Sequence, residues 1–203
     1  PTLMAPSADV TSLKPWLNAV AAKTSTPGGG NVAAVLGAQA TALICMVCQF
    51  SKDPGGNEAL LHDLDQTRND FLQLAEADSA AFKKLMLCYR VDKADPLRTD
   101  NLQKAITNAA LIPLETYELA AKTAELLITI EPLSNPNLHS DTAMAGAIIN
   151  ATLTSARINV LVNLKAIHDK AVKSNIERRL ENRVHLKASL SRLIDSLVQR
   201  IAD

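Results

Sequence analysis

The chain has 203 residues, 47% of them hydrophobic and 21% charged, with 21 basic and 21 acidic side chains in balance. Such a length and composition describe one globular domain over residues 1–203 with a sizeable core, and they exclude a disordered chain. Aromatic residues make up only 3%, and Lys and Arg are spread along the sequence, so neither stacking platforms nor a basic footprint for nucleic acid is expected.

Apolar periodicity is helical nearly throughout, and no alternating stretch suggests a strand. This predicts an all-α protein, an up-and-down bundle of about six helices. The N-terminal stretch has no basic region followed by an apolar run and a small-residue cleavage site, so no secretory signal is expected. Helix 1 is predicted over 12–23, with Leu13, Trp16, Leu17 and Val20 on one face and Pro15 tolerated only near its start. Helix 2 follows the glycines and ends near residue 51, before a turn at "KDPGGN". Its first twenty residues carry no charge, long enough for a membrane span, but Asn31, Gln39, Thr41, Gln49 and many alanines read better as the central helix of a soluble bundle. No membrane partner is expected. Cys45, Cys48 and Cys88 fall on apolar helical patterns and cannot all pair, which suggests reduced structural thiols and a cytoplasmic location.

Helix 3 is predicted over 58–90, with Leu64, Phe71, Leu74, Phe82 and Leu85 on its stripe. Helix 4 is predicted over 96–130, where Pro113 should kink it and free a backbone carbonyl one turn earlier. Helix 5 is expected over 140–172 and helix 6 from 174 to the end, with Arg178, Arg179, Glu181 and Arg183 forming a solvated face.

Three groups could carry chemistry. Gly28, Gly29 and Gly30 stand at the start of helix 2, where bare backbone and the helix dipole suit a polar or anionic ligand; a tight interhelical turn explains them equally well. Asp78 lies on the apolar stripe of helix 3, seven residues from both Phe71 and Leu85. A carboxylate there is either paired between helices or exposed to a polar pocket, and burial would raise its pKa toward the range useful for proton transfer. Asn135, Asn137, Ser140 and Asp141 cluster at the start of helix 5, where they suit ligand recognition but also meet the needs of a turn and a helix cap. His139 in that loop has no second ligand at helical spacing, so no metal is expected. Asn159 and Asn163 share a face of helix 5 and read as interhelical hydrogen-bonding residues.

The motifs "TPGGGNVAA", "DSAAF", "IPL", "NPNLHSD" and "INVLVN" stand in the order seen in the cyclodeaminase/cyclohydrolase family, which the chain resembles over nearly its whole length. The resemblance implies a dimeric helical bundle that binds a folate beside the glycine loop. It implies substrate contacts from Thr26, Pro27, Gly28, Gly29, Gly30, Asn31, Asn135, Asn137 and Ser140, proton transfer by Asp78 and Asp141, and no cofactor beyond the tetrahydrofolate substrate. The implied reaction is hydrolysis of 5,10-methenyltetrahydrofolate to 10-formyltetrahydrofolate. Cyclodeamination of formiminotetrahydrofolate with release of ammonia, or a diverged non-enzymatic binding module, are the alternatives. The chain departs from the family pattern after helix 2, where "FSKDPGGNEAL" replaces a Leu-Thr-x-Gly-Lys segment, and after helix 3, where "YRVDKADP" replaces Leu-Pro-Lys. It departs again at Ser134, which stands where a glycine commonly precedes the Asn-x-Asn unit.

Overall fold

The computed structural model describes residues 13–51 and 58–203. The turn expected at 52–57 and the N-terminal stretch lie outside the described residues. Among the described residues there are seven α-helices and no strand: α1 (Lys14–Ala21), α2 (Gly29–Gln49), α3 (Glu58–Arg90), α4 (Arg98–Ile130), α5 (His139–Leu164), α6 (Lys170–Glu181) and α7 (His185–Ala202). Two short 3₁₀ turns, Glu131–Leu133 and Pro136–Leu138, link α4 to α5. The protein is an all-α bundle in which α2 packs against α3 and α5, α4 against the same two helices, and α7 against α5.

The core is built from Ile44, Leu64, Phe71, Leu114, Leu127 and Ile149, all fully buried. Helix α2 contributes mostly small residues to it, which lets α3 approach closely. At Gly37 an added Cβ would stand 2.6 Å from Cδ1 of Phe71 and 2.7 Å from Cζ, so the ring occupies the space a side chain would need. This accounts for the uncharged, alanine-rich character of α2. Of its most apolar window, 61% is buried in the bundle, as expected for a central helix. Cys48 is buried on α2 and Cys45 half-buried, and all three cysteines are free thiols. Burial pushes the Cys48 thiol up to about 11, with Cys45 beside it adding to the rise, so it is held as an inert thiol.

Two expected boundaries differ. Helix α5 ends at Leu164 rather than at 172, because the Asp169 carboxylate accepts hydrogen bonds from the backbone N–H of Ala171 (2.8 Å) and Val172 (3.1 Å) and so caps a new helix. The expected helix 6 is two helices broken at residues 182–184, where the Val184 N–H bonds back to the Glu181 carbonyl at 3.2 Å. Apolar periodicity continues across both breaks, since Ile176, Leu180, Leu186, Leu190 and Leu197 are all buried. The charged residues of α6 are not simply a solvated face. Arg179 makes a two-pronged pair with Glu118 of α4 at 2.7 and 2.6 Å, and Arg183, just beyond α6, reaches Glu125 at 3.3 Å.

Candidate active site

Helix α2 begins inside the glycine run. Gly28 is its N-cap, and Gly29 and Gly30 are its first two residues, so the triplet is the first turn of the helix and not merely its lead-in. A glycine cap offers no side chain to the first free amides of a helix. Asp78, from the middle of α3, supplies the missing group: its carboxylate accepts the backbone N–H of Asn31. Gly30 is what permits the approach. A Cβ there would stand 2.5 Å from Cγ of Asp78 and 2.7 Å from Oδ2. Burial raises the Asp78 pKa above the ordinary carboxylate value of 3.8, and the hydrogen bond from Asn31 opposes that rise.

The opposite wall comes from α4 and α5. Pro113 lies inside α4 and has no N–H to give the carbonyl four residues earlier. That carbonyl, Ala109 O, accepts instead from Asn163 Nδ2 at 2.9 Å, and the same nitrogen donates to Asn159 O at 3.0 Å. Both acceptors are carbonyls, so the orientation of the Asn163 amide follows from its partners. Its two N–H groups are spent within the protein, and Oδ1 is the atom it can offer a ligand. One turn earlier, Asn159 donates to the Ser155 carbonyl at 2.9 Å and brings its amide against Gly29, 3.6 Å from where a Cβ would sit.

Between these walls lies a cavity of about 150 Å³ lined by Thr26, the three glycines, Asp78, Phe82, Asn159 and Asn163. One carboxyl, two carboxamides, bare helix-start backbone and an aromatic ring suit a flat heterocycle bearing N–H groups, with the carboxyl placed to exchange a proton with it.

The profile of the formiminotransferase-cyclodeaminase family matches residues 12–182. The chain belongs to this family. A methenyltetrahydrofolate cyclohydrolase from Methylorubrum extorquens is 28% identical over 181 residues, covering 84% of this chain and 87% of that protein. The formimidoyltransferase-cyclodeaminase of Mus musculus is also 28% identical, over 85% of this chain, which spans 34% of the mouse protein. Among solved structures, a formiminotetrahydrofolate cyclodeaminase from Thermotoga maritima superposes with a TM-score of 0.83 at 29% identity, over 94% of this chain and 97% of that one.

Within this family fold the expected site residues divide. Thr26, Gly28, Gly29, Gly30 and Asp78 converge on the cavity, whereas Pro27, joined to Thr26 by a cis peptide, does not line it. Asn31 has a different role from the expected substrate contact. Its buried side chain accepts from Trp16 Nε1 at 3.0 Å and donates to Ala75 O at 2.7 Å and Ser79 Oγ at 3.2 Å, tying α1, α2 and α3 together. Its contribution to the site is the main-chain N–H held by Asp78.

The second cluster lies elsewhere. Asn135 donates from its backbone to Ser51 Oγ at 2.9 Å and from its side chain to Phe50 O at 3.1 Å, while its Oδ1 accepts the Asn137 N–H at 3.0 Å. These bonds fasten the α4–α5 connection to the C-terminal end of α2, which is 21 residues long, so the cluster sits roughly 30 Å along that helix from the glycine turn. Asn137 and Ser140 are exposed and Asp141 half-buried there, and within one chain none of them reaches the cavity around Asp78. Asn159, Asn163 and Phe82 line the site although the sequence marked them only as helix-face residues. The signal available was the Asn pair at i and i+4, read together with the carbonyl that Pro113 sets free.

Proposed function

We propose that this chain is a folate one-carbon enzyme that hydrolyses 5,10-methenyltetrahydrofolate to 10-formyltetrahydrofolate in the glycine-turn cavity, acting as a cytoplasmic homodimer. The observation that carries the reading is the Asp78 carboxyl, partly desolvated, held at the start of α2 and facing two carboxamides across the cavity. The family likeness supports the substrate class. The methenyl bridge is cationic, so a carboxylate beside it favours its binding. As water attacks the bridge carbon, Asp78 takes one proton from it; as the carbon–N5 bond breaks, Asp78 returns that proton to N5. The remaining hydroxyl proton leaves to solvent, giving the formyl carbonyl and the one proton that the overall reaction releases. A carboxyl whose pKa is raised by its surroundings serves both halves of this exchange. The Oδ1 atoms of Asn159 and Asn163 accept from pterin N–H donors and hold the ring in place. Asp141 takes no part within the same chain.

The likeness to the Thermotoga cyclodeaminase favours a second reading, ring closure of formiminotetrahydrofolate with loss of ammonia. There the formimino group would enter as its protonated amidinium. Asp78 would take the N10 proton as N10 attacks the bridge carbon and give it to the departing nitrogen, which leaves as ammonia when its bond to carbon breaks. The deciding experiment follows methenyltetrahydrofolate absorbance on adding purified protein, corrected for spontaneous hydrolysis, beside Asp78→Asn. Acceleration by the wild type, reduced about 10²- to 10⁴-fold in the variant, supports hydrolysis. Ammonia release from formiminotetrahydrofolate without that acceleration supports cyclodeamination, and inactivity with both substrates rejects both readings. Sedimentation velocity checks the dimer: a 21.7 kDa species alone rejects it.

A further inference from the structure

Ala109 lines the glycine-turn cavity, and its carbonyl is the one that Pro113 leaves without a main-chain donor. The proline ring also crowds the carbonyl one turn before it, which turns that oxygen away from the helix axis. Helix α4 still runs through the proline, from Arg98 to Ile130, so the cost is one helical bond and not the helix. Left alone, Ala109 O would be an unpaired acceptor at the cavity wall, and Pro113 beneath it is buried, so no solvent reaches it from behind.

Asn163 of α5 takes up that acceptor. Its Nδ2 lies 2.9 Å from Ala109 O and 3.0 Å from Asn159 O, so both of its N–H groups are directed at carbonyls. Turning the amide over would set Oδ1 against the same two carbonyls and exchange two hydrogen bonds for two contacts between oxygens. The acceptor that Pro113 releases from α4 is thereby relayed through the amide and reappears as Oδ1 on α5. Asn159 differs, because its amide donates to Ser155 O at 2.9 Å within its own helix. Asn163 is the carboxamide of the pair whose orientation is set from α4. With Asp78 ionised on the opposite wall, the cavity meets its ligand with oxygen acceptors on both sides. A ring edge bearing N–H groups fits such a cavity, and an edge of carbonyls and bare ring nitrogens does not.

We propose that Pro113 is a positioning residue for ligand binding: by withholding an N–H from Ala109 O it fixes the Asn163 carboxamide with Oδ1 toward the cavity, where Oδ1 accepts from an N–H of the bound pterin ring. This rests on the folate reading given above and names the group that sets the hydrogen-bonding polarity of its ring-binding wall. With alanine at position 113, a main-chain N–H competes for Ala109 O and the amide keeps only its tie to Asn159 O. Either end of the amide then faces the ligand, and the acceptor is no longer fixed before the ligand arrives.

The test is a double-mutant cycle in the binding of 5-formyltetrahydrofolate, measured by titration calorimetry on the wild type, Pro113→Ala, Asn163→Leu and the double variant. Leucine keeps Ala109 O covered and offers no acceptor, and thermal denaturation confirms that each variant is folded. The expected result is binding about 2- to 10-fold weaker in each single variant, the loss of one hydrogen bond, with no further loss in the double variant. Binding by Pro113→Ala as tight as the wild type overturns the proposal. So does a Pro113→Ala loss that persists in full beside Asn163→Leu, which is what a general loosening of α4 would give. Hydrogen exchange of the Asn163 side-chain amide, read by NMR without ligand, separates the proposal from the folate reading. Exchange about tenfold faster in Pro113→Ala supports the relay, and unchanged exchange overturns it. If the wild type binds no 5-formyltetrahydrofolate while that difference in exchange is found, the folate reading falls and Pro113 positions Asn163 for a ligand of another kind.

Discussion

Replacing Gly30 by alanine tests the geometry of the site without reference to any substrate. The new Cβ would stand 2.5 Å from Cγ of Asp78, so the carboxyl must retreat roughly 1 Å to reach ordinary contact distance. That movement withdraws it from the Asn31 N–H, a hydrogen bond to a charged group worth about 1.5–3 kcal/mol. Alanine recovers about 1 kcal/mol of helix propensity, leaving a net loss of about 0.5–2 kcal/mol. Gly29→Ala is the internal control. Its Cβ would meet the Asn159 amide at 3.6 and 3.7 Å, an ordinary contact, so the same propensity gain stands unopposed. Urea denaturation of both variants should therefore separate two adjacent Gly→Ala changes by about 2 kcal/mol, Gly30→Ala below the wild type and Gly29→Ala at or above it. Equal stabilities, or a stabilised Gly30→Ala, would show that Asp78 does not hold the start of α2 as described.

Asp78→Asn retains an acceptor for the Asn31 amide and should fold normally. Because the folded-state pKa of Asp78 is raised, its contribution to stability is greatest below the ordinary value of 3.8 and is lost as pH rises through the raised value. The stability of the variant minus that of the wild type should accordingly rise across that window, read from urea denaturation at a series of pH values, and a difference that falls with rising pH contradicts the raised pKa. Asn163→Ala leaves Ala109 O without its donor and should cost about 1–3 kcal/mol; adding Pro113→Ala restores an N–H within α4, so the double variant should lose less than the two single losses added together. Asn31→Ala removes three hydrogen bonds that join α1, α2 and α3 and should lower stability by about 2–4 kcal/mol, measured by thermal or urea denaturation.

The long helices were legible because their stripes are long and their ends carry distinct chemistry. Helices α3 and α4 end where expected, and α4 begins within two residues of its expected start. The division of the C-terminal third was not legible, since buried leucines recur at helical spacing on both sides of residues 182–184, and the cap at Asp169 is a single side chain inside a periodic stretch. In the site, Asp78 stood out because a carboxylate on an apolar stripe requires a local cause. Asn135, Asn137, Ser140 and Asp141 looked equally suited to a ligand, but two residues at the end of α2, distant in sequence, occupy the Asn135 donors. The roles of Asn159 and Asn163 depend on how α5 crosses α4, which no helical period encodes.

The bond from Asn163 to Ala109 O makes two positions on different helices answer to each other over the history of the chain. A lineage that loses Pro113 frees Asn163 from its partner, and one that loses Asn163 strands a buried carbonyl for as long as the proline remains. Loss of Asn163 therefore costs less once Pro113 has gone, so a residue that does not line the cavity sets the cost of changing one that does.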